Sequence, residues 1–261
     1  MLLAVDIGNS SITVGGFRAE SEPVFTLRFA SNEPRTADEY ANTLRQVLKM
    51  RSIDPAEITD CAVASVVPPL THLMEQALQS LCPCRVLTVG AGVKTGFSIR
   101  TDAPGEVGAD IIANAAAAVA LTQGASVIVD IGTATTVFAV NHKKELIGGV
   151  ILPGIAPSME GLRSSTAQLP SVALQPQKSL LGKNTAACIA NGVLQGHAFA
   201  LDGFIDAFLK ENGMENAAIL ATGGVCNLIA PLCRYEWQKE PFLTLKGLRV
   251  IFEKTRKKQV C

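Results

Sequence analysis

Residues 3–14 read LAVDIGNSSITV, and residues 127–138 read VIVDIGTATTVF. Each is an apolar run ending in Asp-Ile-Gly, then a short polar turn, then a β-branched run. That pattern predicts a β-hairpin. Asp6 and Asp130 are the matching carboxylates, a domain's length apart. One such phrase is an ordinary strand and turn. Two at that separation predict a duplicated fold with two phosphate-handling hairpins facing each other.

Working outward, FTLRFA (25–30) adds a third strand to the first hairpin. Thr36–Met50 has helical spacing, with Tyr40, Leu44, Val47 and Leu48 on one face. It opens on a hydroxyl with Glu39 three residues later, the pattern of a capping box. DCAVASVVP (60–68) reads as a buried strand, HLMEQALQSL as a helix and RVLTVG as a strand. In the second half SVIVDIG, TTVFAVN and ELIGGVILPG read as three strands, Thr185–Lys210 as a long helix, and AAILATGG as a strand entering a glycine turn. GADIIANAAAAVALTQG (108–124) is an alanine-rich helix expected to bridge the halves. The fold class is therefore α/β: two ribonuclease-H-like domains, 1–116 and 117–261, each a mixed sheet with flanking helices, around a central cleft.

Composition narrows the function classes. The 261 residues are 48% hydrophobic and 18% charged, a globular balance with material for a large core. The formal net charge is zero, which gives no support for nucleic acid or an anionic membrane as partner. No apolar run reaches the roughly 18 residues of a membrane span. The N-terminus lacks a basic region and cleavage site, so a cytoplasmic location is expected. The seven cysteines are irregularly spaced, and Cys82-Pro-Cys84 stands without a second pair, so reduced structural thiols are expected rather than a zinc site. His72, His142 and His197 read as surface or capping residues, Tyr235 and Trp237 as lining a lobe surface, and Lys254–Lys258 as a frayed, solvated end.

In the first hairpin Gly8 permits close backbone approach, and the turn amides with the Ser10, Ser11 and Thr13 hydroxyls can cradle phosphate oxygens. Asp6, ending a buried strand, can hold hydrated magnesium. The second hairpin offers Asp130, Gly132, Thr133, Thr135 and Thr136 in the same way. Gly223 and Gly224 in ATGG allow a nucleotide base or ribose to lie against the backbone. Asp110, opening the alanine-rich helix, is either a helix cap or a general base. Arg163 is a weaker candidate as a phosphate or acceptor partner. Leu181–Thr185 lacks the upstream glycine of a P-loop.

Taken in order, DIGNS (6–10), EVGAD (106–110), DIGTATT (130–136), GGVILPG (148–154), LP (169–170), GKNT (182–185), ATGG (221–224) and LTLKGL (243–248) resemble the type III pantothenate kinases. That family belongs to the superfamily of acetate and sugar kinases, heat-shock chaperone ATPases and actin. The resemblance covers essentially the whole chain. It implies ATP-dependent phosphorylation of the primary hydroxyl of pantothenate, the first step of coenzyme A synthesis. It implies that Asp6, Ile7, Gly8, Asn9, Ser10, Ser11, Ile12 and Thr13 form the first phosphate motif. It implies that Thr133 lies on ATP, that Asp110 accepts the proton, and that Asp130 ligates potassium or ammonium. Thr101, Gly108, Ala109, Asp110, Ile111 and Thr185 occupy positions for pantothenate. A homodimer follows by the same resemblance.

The chain departs from the family pattern at three positions. Ile111 stands where Arg usually follows the catalytic Asp, Thr101 where a larger residue is common, and Phe138 where Asp is common. These departures read either as drift compensated nearby or as altered acceptor preference or weak activity, with impaired acceptor affinity as the hypothesis. The alternatives are a catalytically weak or inactive nucleotide-binding paralog with a regulatory role, or a kinase for another small alcohol.

Overall fold

The computed structural model describes residues 1–90, 92–166 and 172–256. The strands are β1 (Leu2–Ile7), β2 (Ser11–Phe17), β3 (Phe25–Ala30), β4 (Asp60–Ser65), β5 (Arg85–Thr88), β6 (Ser98–Ile99), β7 (Ser126–Ile131), β8 (Ala134–Val140), β9 (Glu145–Pro153), β10 (Ala218–Thr222) and β11 (Gln238–Lys239). The helices are α1 (Ala37–Met50), α2 (Pro68–Leu81), α3 (Ala109–Leu121), α4 (Ile155–Ser164), α5 (Thr185–Glu211), α6 (Cys226–Ile229) and α7 (Leu243–Arg256).

The duplication expected from the repeated phrase is present in the topology. One sheet has the order β3-β2-β1-β4-β5 and the other β11-β10-β7-β8-β9-β6. In each, the strand ending in Asp-Ile pairs antiparallel with the next strand and parallel with a later one. This is the ribonuclease-H-like plan, twice. Strands buried on both faces make the parallel centre: Leu3, Ala4 and Val5 are wholly buried, as are Val127 and Val129.

Local signals behave as their chemistry requires. Thr36 Oγ1 accepts from the Glu39 amide while the Glu39 carboxylate accepts from the Thr36 amide, so the expected capping box closes. α2 begins at Pro68, earlier than expected, because a proline at the first helical position loses no needed N–H.

By contacts the chain divides into two compact units, Met1–Ser98 with Asp102–Leu121 and Phe242–Cys261, and Ile99–Thr101 with Thr122–Pro241. The division is discontinuous, where a single cut at 116/117 was expected. In the first unit α3 packs on β4 and α7. α7 opens on Leu243-Thr244-Leu245-Lys246, an alternation that locally resembles a strand, yet it folds as a helix. It buries Leu243, Leu245, Leu248 and Ile251. A Cβ on its Gly247 would lie 1.8 Å from the Ala113 carbonyl oxygen, so the two helices touch backbone to backbone. The small residues of α3 make that approach feasible, and Thr244 donates to the buried Asn114 side chain at 2.8 Å. Lys254 and Arg256 belong to this helix rather than to a frayed end, while Lys257, Lys258 and Cys261 lie outside the described residues.

In the second unit the core takes in Trp237, 7% exposed, which corrects its expected surface position. α4 is likewise a helix the strand-and-loop reading missed. It follows Gly154 directly and buries Ile155. Residues 169–170 of the family pattern lie outside the described residues.

Candidate active site

β1 and β4 run parallel and end together at Ile7 and Ser65, so the first hairpin turn projects from the C-terminal edge of the first sheet. Ligands of open α/β sheets gather at such edges. Ile7 pairs with Ile12, leaving a turn of four residues, Gly8–Ser11, closed by Gly8 N donating to Ser11 O at 3.0 Å. Ser31, which no sequence motif singles out, pins the turn: its hydroxyl donates to Gly8 O at 2.6 Å and its amide to Ser10 O at 3.1 Å. Asn9 and Ser10 are exposed at the tip, and Asp6, Gly8, Ser11 and Thr13 are half-buried. Ile7 and Ile12 point into the core with no exposure, so only their backbone is available to a ligand.

The second turn is one residue shorter. Ile131 pairs with Thr135, leaving Gly132–Ala134, closed by Gly132 N donating to Ala134 O at 3.1 Å. Three supports hold it. Gly154 donates to Thr133 O at 3.0 Å, and a Cβ there would stand 2.3 Å from Gly132 O. Gly223, at φ +99, lies against Ile131, where a Cβ would meet its carbonyl oxygen at 2.4 Å. Only glycine satisfies both that conformation and that approach. The ATGG turn and the second hairpin are therefore in direct contact.

The third support is Thr135, fully buried, whose hydroxyl lies 2.9 Å from Nε2 of His197 on α5. His197 is itself buried, which corrects its expected surface role, and burial lowers its pKa so that the ring stays neutral near neutral pH. The signal available in the sequence was only its place among apolar residues of a long helix. Asp130 is half-buried at the end of β7, and Thr133 is exposed at the turn.

Asp110 is the second residue of α3, inside the first turn rather than at the cap. Its Oδ1 accepts from the Ile111 amide at 2.8 Å. Burial raises its pKa above the ordinary carboxylate value, against the opposing pull of the amides of Ile111 and of Asp110 itself. Gly108 makes room for it: a Cβ there would lie 2.5 Å from Oδ1. Ala109 and Ile111 are half-buried beside it.

Thr101 carries a buried hydroxyl with no hydrogen-bond partner among the described residues. Thr185 is exposed at the start of α5, after Asn184, whose side chain accepts from the Ala187 amide at 2.9 Å. Gly182 packs on the first turn of that helix, where a Cβ would meet Cys188 N at 2.5 Å. Arg163 pairs with Glu160 at 2.7 Å on an exposed face, so it is a surface residue.

A sequence profile described as type III pantothenate kinase matches residues 2–207. A type III pantothenate kinase of Moorella thermoacetica is 41% identical over 254 residues, spanning 97% of this chain and 99% of that protein. Among solved structures, a conserved Baf family protein from Campylobacter jejuni superposes with a TM-score of 0.58 at 18% identity, covering 98% of this chain and 99% of the other. The activator of 2-hydroxyisocaproyl-CoA dehydratase from Clostridium difficile, solved with bound ADPNP, gives 0.54 at 11% identity, covering 100% and 97%. At such identities these two structures speak for the fold alone. The sequence likeness decides the family: this chain belongs to the type III pantothenate kinases.

Proposed function

We propose that this chain transfers the γ-phosphoryl group of ATP to the primary hydroxyl of pantothenate, with Asp110 as the proton acceptor. The observation that carries the residue assignment is the Asp110 carboxylate, held half-buried beside Gly108 with its pKa raised by burial. A carboxylate shifted toward neutrality is a better general base than a solvated one.

Phosphoryl transfer asks a protein for positioning and charge neutralisation more than for covalent chemistry. The amides of the Gly8–Ser11 turn, with the hydroxyls of Ser10, Ser11 and Thr13, bind phosphate oxygens. Thr133 adds a donor from the second turn, and Gly223 and Gly224 let the nucleoside approach the backbone. The half-buried carboxylate of Asp6, at the end of its strand and next to a polar turn, suits a hydrated hard cation, and Asp130 suits a monovalent one by the same chemistry of oxygen donors. Magnesium there would neutralise charge on the phosphates, and potassium or ammonium near Asp130 would add to it.

The unpartnered Thr101 hydroxyl favours an acceptor group at that position, since a buried hydroxyl left alone costs about 1–3 kcal/mol. By the family likeness Gly108, Ala109 and Ile111 of the first unit, and separately Thr185 of the second, are further candidate acceptor residues. As the acceptor oxygen bonds to the γ-phosphorus and the bond to ADP breaks, Asp110 takes the hydroxyl proton. A homodimer in the cytoplasm, without nucleic acid or membrane partner, completes the reading. Zero net charge gives no attraction to nucleic acid or an anionic membrane, and no helix among the described residues is long and apolar enough to cross a membrane.

ADP release, followed with and without pantothenate in potassium and in sodium, tests the proposal. The expected result is release that requires pantothenate and Asp110 and is faster in potassium. Release indifferent to pantothenate, or full turnover by Asp110→Asn, overturns it.

A further inference from the structure

Three cysteines outside the kinase chemistry converge at the other end of the first sheet. Cys61 is the second residue of β4, and Cys82 and Cys84 flank Pro83 between α2 and β5. Their sulfurs all lie within 4.8 Å of one another, with Cys61 Sγ and Cys84 Sγ 3.3 Å apart. The sequence hid this because Cys61 joins the Cys-Pro-Cys pair only through the parallel pairing of β4 with β5. Cys61 is opposite Leu3 while Asp6 is opposite Ala64, which puts the cluster about 10 Å along the strands from Asp6 and further still from the phosphate turn. It is therefore separate from the site described above.

The surroundings suit a soft cation. Thiolates around a tetrahedral zinc, at about 2.3 Å from the metal, stand about 3.8 Å apart, so these three need only small rotamer adjustments. Cys82 is the C-cap of α2, where unpaired carbonyls favour positive charge. The Cys82 and Cys84 thiols donate to the Leu78 carbonyl oxygen at 3.7 Å, contacts that metal binding would replace. Pro83 fixes one backbone torsion between the paired ligands. Cys61 and Cys82 are buried, and half-buried Cys84 leaves an entry path. Three sulfurs select zinc or copper(I) and reject magnesium and potassium, which prefer oxygen.

We propose that Cys61, Cys82 and Cys84 form a three-thiolate site for a soft d10 cation, zinc or copper(I), which clips β4, the end of α2 and the start of β5 together. Each ligating thiol releases its proton to solvent.

The test uses the full chain, reduced and free of oxygen, titrated with cobalt(II) as a spectroscopic stand-in, with zinc(II) and with copper(I). One equivalent of cobalt should give thiolate-to-metal charge-transfer absorption that zinc displaces. The peptides carrying the three cysteines should lose alkylation by iodoacetamide when zinc or copper(I) is bound. The tighter of those two ions names the occupant. Cys84→Ser, at a half-buried position that tolerates the change better than Cys61, should weaken binding by at least about 100-fold, the upper end for losing a mere supporting contact. Cys188→Ser, at an exposed cysteine elsewhere, should bind as the parent does. Absence of charge transfer, undiminished binding by Cys84→Ser, or thiol protection that survives a chelator and yields only to reductant, as a disulfide would, overturns the proposal.

Discussion

Asp110 combines two demands that oppose each other. As a carboxylate in a partly dehydrated first turn it is held at a raised pKa, so the folded state binds its proton more tightly than the unfolded chain does. Its contribution to stability is then fully present below the unfolded pKa and is lost as pH rises through the folded one. Asp110→Asn is expected to lower kcat by about 10²–10⁴-fold, the range for losing a general base. The same variant should melt higher than the parent at neutral pH, and the gap should close on acidification; a thermal melt series against pH reads both. Gly108→Ala brings a Cβ against Oδ1, a side-chain end that can rotate away, so the fold should survive while kcat falls, as paired melting and turnover measurements would register. Beside it, Ile111 cannot supply the planar fork of an arginine. Ile111→Arg should lower the KM for pantothenate, and an unchanged KM would show that the departure is compensated elsewhere. Phe138 has a local explanation: its ring covers Gly149 on the neighbouring strand, where a Cβ would come within 2.6 Å of it.

Among the elements, the two hairpins share a phrase and differ in length by one residue, with turns at Gly8–Ser11 and Gly132–Ala134. Their supports differ as well. Ser31 hydroxyl and amide hold the first, whereas Gly154, Gly223 and the Thr135–His197 pair hold the second. His197→Leu leaves the buried Thr135 hydroxyl alone and should cost about 1–3 kcal/mol in denaturant unfolding. Where α3 meets α7, Gly247→Ala drives a Cβ into the Ala113 carbonyl, a backbone group that cannot swing aside. A loss of about 1–3 kcal/mol, typical of overpacking, is expected from the same measurement. Neither change alters a side chain assigned to ATP or pantothenate, but His197→Leu removes a support of the turn that carries Thr133 and Gly247→Ala presses on the helix that carries Asp110, so unfolding and turnover are read together.

Across the whole molecule, α7 comes last in sequence yet belongs to the unit built around the first sheet. Burying its Leu243, Leu245, Leu248 and Ile251 at about 1.5–3 kcal/mol each is comparable to the entire stability of an ordinary domain, about 5–15 kcal/mol. A fragment of residues 1–116 should therefore be unfolded by circular dichroism, and a cooperatively melting fragment would show that α7 is dispensable. The sequence by itself determined the duplicated α/β plan, the two Asp-Ile-Gly hairpins and the capped helix α1, because strand alternation, turn glycines and capping boxes are local physics written within a dozen residues; the family followed instead from the likeness of its ordered motifs to known kinases. It named the Gly8 and Gly132 turns for the same reason, whereas the role of Asp110 came from the family resemblance. Only the tertiary structure decided which unit α7 joins, that His197 supports Thr135, that Trp237 is core, and that Cys61 meets Cys82 and Cys84. Each of those depends on strand register or on helix faces meeting across long stretches of chain, and no local periodicity encodes which surface will cover a given side chain.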